Sequence, residues 1–209
     1  MKKITKLGMA AAVLFCVVGL GSHTQAAMAA EETTIENGIS IGNVNVGGMT
    51  ENQAISAVEE YVDGLMDTTF TLKGETGSIQ MTAEDMGVTA DADTAVQEAL
   101  AVGHAGSLIN RYKTLQDLKK KKLVLDMHLS VNKQATAEKI DESADDLDVG
   151  AVDNGLKRVN GKFEFVKGKE GVEVDVVNSV YAINDFLAQG WDGSNNEIDL
   201  VTKTVEPRG

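Results

Sequence analysis

Residues Ile35–Leu65 read IENGISIGNVNVGGMTENQAISAVEEYVDGL. The first part alternates: Ile39, Ile41, Val44 and Val46 are apolar, with a slip at Gly42-Asn43. That period of two predicts a short strand with a bulge at the slip. The last part changes period. Ala54, Ile55, Val58, Tyr61, Val62 and Leu65 fall on one helical face. Between the two runs stand Gly47-Gly48 and Thr50, with Gln53 three residues after the threonine. Thr-x-x-Gln is a capping box, in which hydroxyl and amide each satisfy a backbone N–H at the helix start. A phosphate-cradling loop would need G-x-x-x-x-G-K-[ST]. Met49, Thr50, Glu51 and Asn52 follow Gly48 instead, so the pair reads as a turn.

The same alternation of periods continues along the chain. Phe70 and Leu72 mark a strand, Gly74 to Gly77 a turn, and Ile79 and Met81 the return strand. A second helix carries Ala95, Val96, Ala99, Leu100 and Val102, ended by Gly103. Leu123, Leu125, Met127 and Leu129 alternate as a further strand, and Asn132 or Ser130 can cap a helix through Ala137, Ile140, Ala144 and Leu147. Asn160-Gly161 joins Leu156–Val159 to Phe163–Val166, the strongest short hairpin signal. A helix with Val176, Val180, Ile183 and Leu187 follows, then a last strand at Ile198, Leu200 and Val201. GVTADADTAVQEALAVG (Gly87–Gly103) and GVEVDVVNSVYAINDFLAQG (Gly171–Gly190) share a plan: Gly-Val, an Asp four residues after the Gly, a helix and a terminal Gly. The expectation is an α+β fold of two tandem related strand–helix–hairpin–helix repeats, over 31–118 and 119–209, with mainly antiparallel sheets.

Residues 1–30 are different. Lys2, Lys3 and Lys6 precede an apolar run from Leu7 to Leu20, and small residues from Ala26 to Ala30 precede Glu31. This is the pattern of a secretory signal peptide, with a retained anchor helix as the rival reading. The run is shorter than the roughly 20 residues that span a bilayer. Cleavage would remove Cys16, the sole cysteine, and with it any disulfide or thiol nucleophile. The chain carries a net charge of −13 and would become more acidic on losing three lysines. Such a surface repels nucleic acid and anionic membranes. Localisation is therefore expected outside the cytoplasm, secreted or associated with the wall, with a membrane contact only if the N-terminal segment is retained.

Candidate chemistry is sparse. His104 and His128 lie outside the signal segment, and neither has a second histidine at ligand spacing. No H-E-x-x-H or G-x-S-x-G occurs. Asp141, Glu142, Asp145, Asp146 and Asp148 miss the calcium-loop register and read as a polar helix face. Lys119 to Lys122 could hold an anionic polymer, but reads as a solvated connector. Trp191 is the one obvious aromatic platform for a sugar, against a role in the core or at a rim. With 32 acids, a carboxylate pair acting as a glycosidase stays open. No metal and no cofactor is expected.

Four segments taken together carry a family resemblance: NGISIGNVNVGGMTENQAISAVEEY, EDMGVTADADTAVQEALAVGHAGSL, FEFVKGKEGVEVD and EIDLVTKTVEP. In their order and spacing they resemble the peptidoglycan-binding module that precedes VanW regions (YoaR-like proteins) and some Gram-positive L,D-transpeptidase domains. The likeness covers nearly all of Ile35–Pro207. It implies a mixed α/β, extracytoplasmic module binding peptidoglycan or another cell-wall polymer. His104 stands where that resemblance implies an arginine, which would weaken a contact to an anion. The transpeptidase's Ser-His-Gly-Cys segment is absent, so no enzyme activity is expected. The chain ends at Gly209, where a VanW or catalytic domain is expected to follow. That favours a stand-alone module or a truncated product. The alternative is a structural spacer or a module that holds an envelope protein. His104, Asn110, Arg111 and Lys113, within the polar stretch GHAGSLINRYK that links the repeats, are the candidate ligand-binding residues, against an ordinary linking loop.

Overall fold

A computed structural model describes residues 32–209, which form one compact unit. The signal-peptide segment, 1–30, lies outside the described residues. The first half runs β1 (Ile39–Ile41), β2 (Val44–Asn45), α1 (Glu51–Asp63), β3 (Thr69–Lys73), β4 (Ser78–Thr82), β5 (Thr89–Ala90) and α2 (Ala92–Ala101). Next comes α3 (Leu108–Lys120). The second half runs β6 (Leu123–Leu125), β7 (Leu129–Ser130), α4 (Lys133–Glu142), α5 (Ala144–Leu147), β8 (Gly155–Val159), β9 (Lys162–Val166), β10 (Gly171–Val174), α6 (Val176–Ala188), β11 (Glu197–Asp199) and β12 (Thr202–Val205). The class is α+β, and the order of elements is compatible with the repeat reading: α1 packs on α2 as α4 packs on α6.

The capping box forms as its residues require. Thr50 Oγ1 accepts from Gln53 N at 3.5 Å, and Gln53 Oε1 accepts from Thr50 N at 3.0 Å. Gly48 sits at φ +80°, and a Cβ on Gly47 would press on the Asn37–Gly38 backbone at 3.1 Å. The glycine pair is a turn packed under the preceding chain. Asn160-Gly161, at φ 51° and 83°, is the left-handed two-residue turn the sequence asks for.

Four local expectations change. Ile39–Val46 is not one bulged strand: Gly42, at φ 52°, and Asn43 reverse the chain, and Ile41 faces Val44 in a tight hairpin. Leu123–Leu129 is not one strand either, because His128 sits at φ 53° and breaks the run between β6 and β7. GHAGSLINRYK is a loop only as far as Ser107. Ser107 caps a helix by accepting from Asn110 N at 3.3 Å, and α3 runs to Lys120 with no buried residue. The last strand is two, with Leu200 and Val201 as the link.

Five of the seven strand pairings are antiparallel; β1–β6 and β3–β11 are parallel. Three pairings join the two halves: β1 with β6, β3 with β11 and β5 with β7. One continuous core results, from Ile39, Ile41 and Phe70 to Ile140, Ile183 and Leu187. Apart from Phe70 it is built from aliphatic residues and methionine, as the scarcity of aromatics requires. The two buried polar side chains both tie a helix to a strand link: Thr136 of α4 donates to the Met86 carbonyl at 3.1 Å, and Ser179 of α6 donates to the Val201 carbonyl at 3.1 Å.

Candidate functional site

The four candidate residues of the α2–α3 region lie on an exposed ridge. His104 turns back on the end of α2, its Nδ1 2.9 Å from the Leu100 carbonyl and 3.2 Å from that of Val102. Arg111 Nε donates to the Gly106 carbonyl at 3.2 Å. Asn110, Arg111 and Lys113 are all exposed on α3. None of the four lines the cleft described below. Lys119 and Lys120 occupy the last turn of α3, where cations complement the helix dipole. Lys121 and Lys122 border a shallow groove with Thr114, Asp117, Leu118 and Leu123. In the acidic cluster, Asp148 accepts from Val174 N at 2.8 Å, which is a structural use. Among the described residues no group of three or more side chains is placed to hold a metal ion.

A smaller but more enclosed concavity lies elsewhere, where the halves meet. A cleft of about 170 Å³ is lined by Asn43 from the β1–β2 turn, Tyr61 from α1, Asp126 and Met127 from the β6–β7 break, and Trp191 and Asp192 after α6. Val124, Leu129 and Leu187 extend its apolar wall. Each wall has a local cause. The Gly42 turn lets Asn43 reach across, so that its Nδ2 donates to Tyr61 Oη at 2.9 Å and to the Asp192 carbonyl at 3.0 Å. Trp191 packs its ring on Phe70, centroids 5.1 Å apart, and its Nε1 donates to the Asn195 carbonyl at 2.7 Å. It is a rim tryptophan, half-buried, with its polar edge occupied.

His128 holds the neighbouring wall. Its backbone N–H donates to Asp126 Oδ1 at 3.2 Å, and its ring nitrogens lie 3.4 Å from Asp126 Oδ2 and 3.1 Å from Glu98 Oε2. The left-handed backbone at His128 thus orients Asp126 at the cleft. Asp192 is held ionised below the ordinary carboxylate range, first by the Ser194 side chain and then by the Ser194 backbone N–H. The lining carries two carboxylates, an amide, a phenol and an indole, and no lysine or arginine. Such a surface suits a hydroxyl-, amide- or amine-bearing ligand and opposes a phosphate. Sequence reading picks out Trp191 but not Asn43 or Tyr61. Their one signal is the Gly-Asn pair, which specifies a reversal once the flanking residues pair.

Comparison with protein families decides the affiliation. The model of the family described as "Putative peptidoglycan binding domain" matches residues 79–193, more than half of the chain. The chain belongs to this family. No curated protein matches it, and no solved structure does. The peptidoglycan-binding-domain match begins within β4 and ends just past Asp192. It therefore includes α3 with its candidate residues, and it includes Asp126, Trp191 and Asp192. Asn43 and Tyr61 come from outside the matched span. One wall of the cleft is family sequence, and the other is supplied by the first hairpin and α1.

Proposed function

We propose that this chain is an exported, non-catalytic cell-wall module of the VanW-associated kind, and that it engages peptidoglycan at the Trp191 cleft. Family membership supports the polymer class. The observation that carries the site is the convergence of Asn43, Tyr61, Asp126, Trp191 and Asp192 on one concave surface between the halves. An aromatic rim beside amide and carboxylate groups suits N-acetylated sugars, whose faces are apolar and whose edges donate and accept hydrogen bonds. The signal-like N-terminus supports export, and the absence of a Ser-His-Gly-Cys segment supports a binding role. Among the described residues, no helix is long and apolar enough to cross a membrane.

Co-sedimentation of residues 32–209 with purified sacculi, with and without teichoic acid, tests the proposal. The expected result is saturable retention on bare sacculi that salt does not weaken, because no cation lines the cleft. Trp191→Ala should reduce retention strongly. Tyr61→Phe, which removes only a hydroxyl, should reduce it less while leaving the fold intact. Absence of retention by folded protein would retire the glycan reading in favour of a spacer or an envelope-protein partner. Retention unchanged in both variants would move the site off this cleft.

A further inference from the structure

The β8–β9 hairpin stands apart from the rest of the fold. Nine of its ten strand residues are exposed, and the tenth, Val159, is only half-buried. Among the described residues neither strand pairs with any strand but its partner. Its register puts Leu156 opposite Phe165 and Arg158 opposite Phe163, so these four share one face. Leu156, Phe163 and Phe165 are 70%, 70% and 69% exposed. An isolated two-stranded hairpin is marginal in water, and a contiguous exposed apolar strip marks a contact surface. Its base, by contrast, is pinned. Asn154 Oδ1 accepts from Gly168 N at 2.9 Å, Val152 and Lys169 exchange backbone hydrogen bonds at 2.9 Å, and Arg208 N donates to Asp153 Oδ1 at 2.9 Å. The fold holds the hairpin out rather than leaving it loose.

Charge says what covers it. Within a chain of net charge −13, residues 155–169 carry Lys157, Arg158, Lys162, Lys167 and Lys169 against the single acid Glu164. Among the described residues none of these five cations lies in an ion pair. Arg158 shares the apolar face, and Lys157 and Lys162 stand on the opposite face of the same narrow ribbon. A cationic hairpin with one apolar face matches an anionic lipid surface, where acyl chains take the apolar groups and headgroups take the cations. An anionic glycopolymer would use the cations but not the two phenylalanines. Distance removes the objection from overall charge. Five residues per strand extend about 17 Å, beyond the screening length of about 10 Å at 0.1 M salt. The cations near the tip are therefore largely screened from the acidic body.

We infer that the β8–β9 hairpin is a peripheral membrane contact, which seats Leu156, Phe163 and Phe165 in the headgroup–acyl boundary of an anionic bilayer. It is independent of the Trp191 cleft, so the two sites can fail separately. The test is flotation of residues 32–209, free of the apolar N-terminal segment, with vesicles of pure phosphatidylcholine or with about one third phosphatidylglycerol. Co-flotation is expected with the anionic vesicles only, and it should fall as salt rises. Phe163→Ser/Phe165→Ser should lower the apparent affinity about tenfold or more, from lost apolar burial. Lys157→Gln/Arg158→Gln/Lys162→Gln should lower it similarly at 0.1 M salt and by little at high salt. Both variants change only exposed side chains, so an unaltered melting temperature shows that the fold is kept. No flotation of the parent, or equal flotation of all three proteins, overturns the proposal. Concentration-dependent dimerisation that the double serine variant abolishes, without lipid binding, would assign the hairpin to contact between copies instead.

Discussion

Gly171 offers a sharp test of how the second half is held together. It opens β10, and the segment 149–152 crosses directly over it. A Cβ at this position would come closer than 3.0 Å to the Val149 oxygen, the Ala151 nitrogen and the Gly150 carbonyl carbon. These are backbone atoms, so no side-chain rotation relieves the overlap. Gly171→Ala must push 149–152 away. The nearest bonds to break are Val149 N to Val172 O at 2.7 Å and Val172 N to Val149 O at 2.8 Å. Each backbone bond contributes about 1 kcal/mol net, and residual overlap costs a similar amount, so the expected loss is about 2–3 kcal/mol. For a domain of this size that is about 5–10 °C in Tm. Gly150→Ala is the control, since nothing lies within 4 Å of a Cβ there. Calorimetry of both variants beside the parent decides the matter. If Gly171→Ala melts within about 2 °C of Gly150→Ala, the crossing of 149–152 over β10 is not as close as described, and the reasoning fails.

Two further outcomes follow from the hydrogen-bond geometry. Ser179 Oγ accepts from Val201 N at 2.9 Å while donating to Val201 O, so Ser179→Ala leaves the Val201 N–H unpaired, while the Val201 carbonyl keeps its bond from Asp175 N at 2.8 Å, and should cost about 1–2 kcal/mol in urea unfolding. Asp85, Asp91 and Asp175 are each held below the ordinary value of 3.8, chiefly by the backbone N–H of Thr82, Thr94 and Asn178 respectively. Because the folded values are depressed, their stabilisation is complete above about pH 4 and is lost as pH falls from there through the folded values. Asp91→Asn/Asp175→Asn should flatten the acid limb of stability against pH, and an unchanged limb in urea midpoints between pH 5 and 2 would refute the assignment.

Legibility in the sequence tracked the range of the interaction. The Thr50 capping box, the Asn160-Gly161 turn and the helix-ending Gly103 are specified by residues within a few positions of one another, and all form as read. The apolar faces of α1, α2 and α6 are equally legible because each is buried on one side. By contrast α3 has no fully buried residue, and Leu118 only partly packs on the core, so the stretch reads as a polar link although Leu108, Tyr112, Leu115 and Leu118 fall at helical spacing. The kink at His128 depends on Glu98 and Asp126 gripping its ring, which alternation of Leu125, Met127 and Leu129 cannot reveal. Asn43 reaches Asp192 across 149 positions. No local pattern encodes that contact, so the cleft had to be seen in three dimensions, although Trp191 on its rim could be picked out beforehand.

The parallel pairing of β3 with β11 has a consequence for how this chain reaches its shape. Thr71, Leu72 and Lys73 find their neighbours at Glu197, Ile198 and Asp199, in the second half of the described chain. The central strand of that sheet therefore stays half-satisfied until β11 has been made. A nascent chain stopped anywhere before β11 holds Leu72 without the strand that covers its flank, and closing so long a loop is intrinsically slow. Completion of this sheet waits on that long-range pairing. The two cleft walls, which come from the two halves, are brought together by the same assembly.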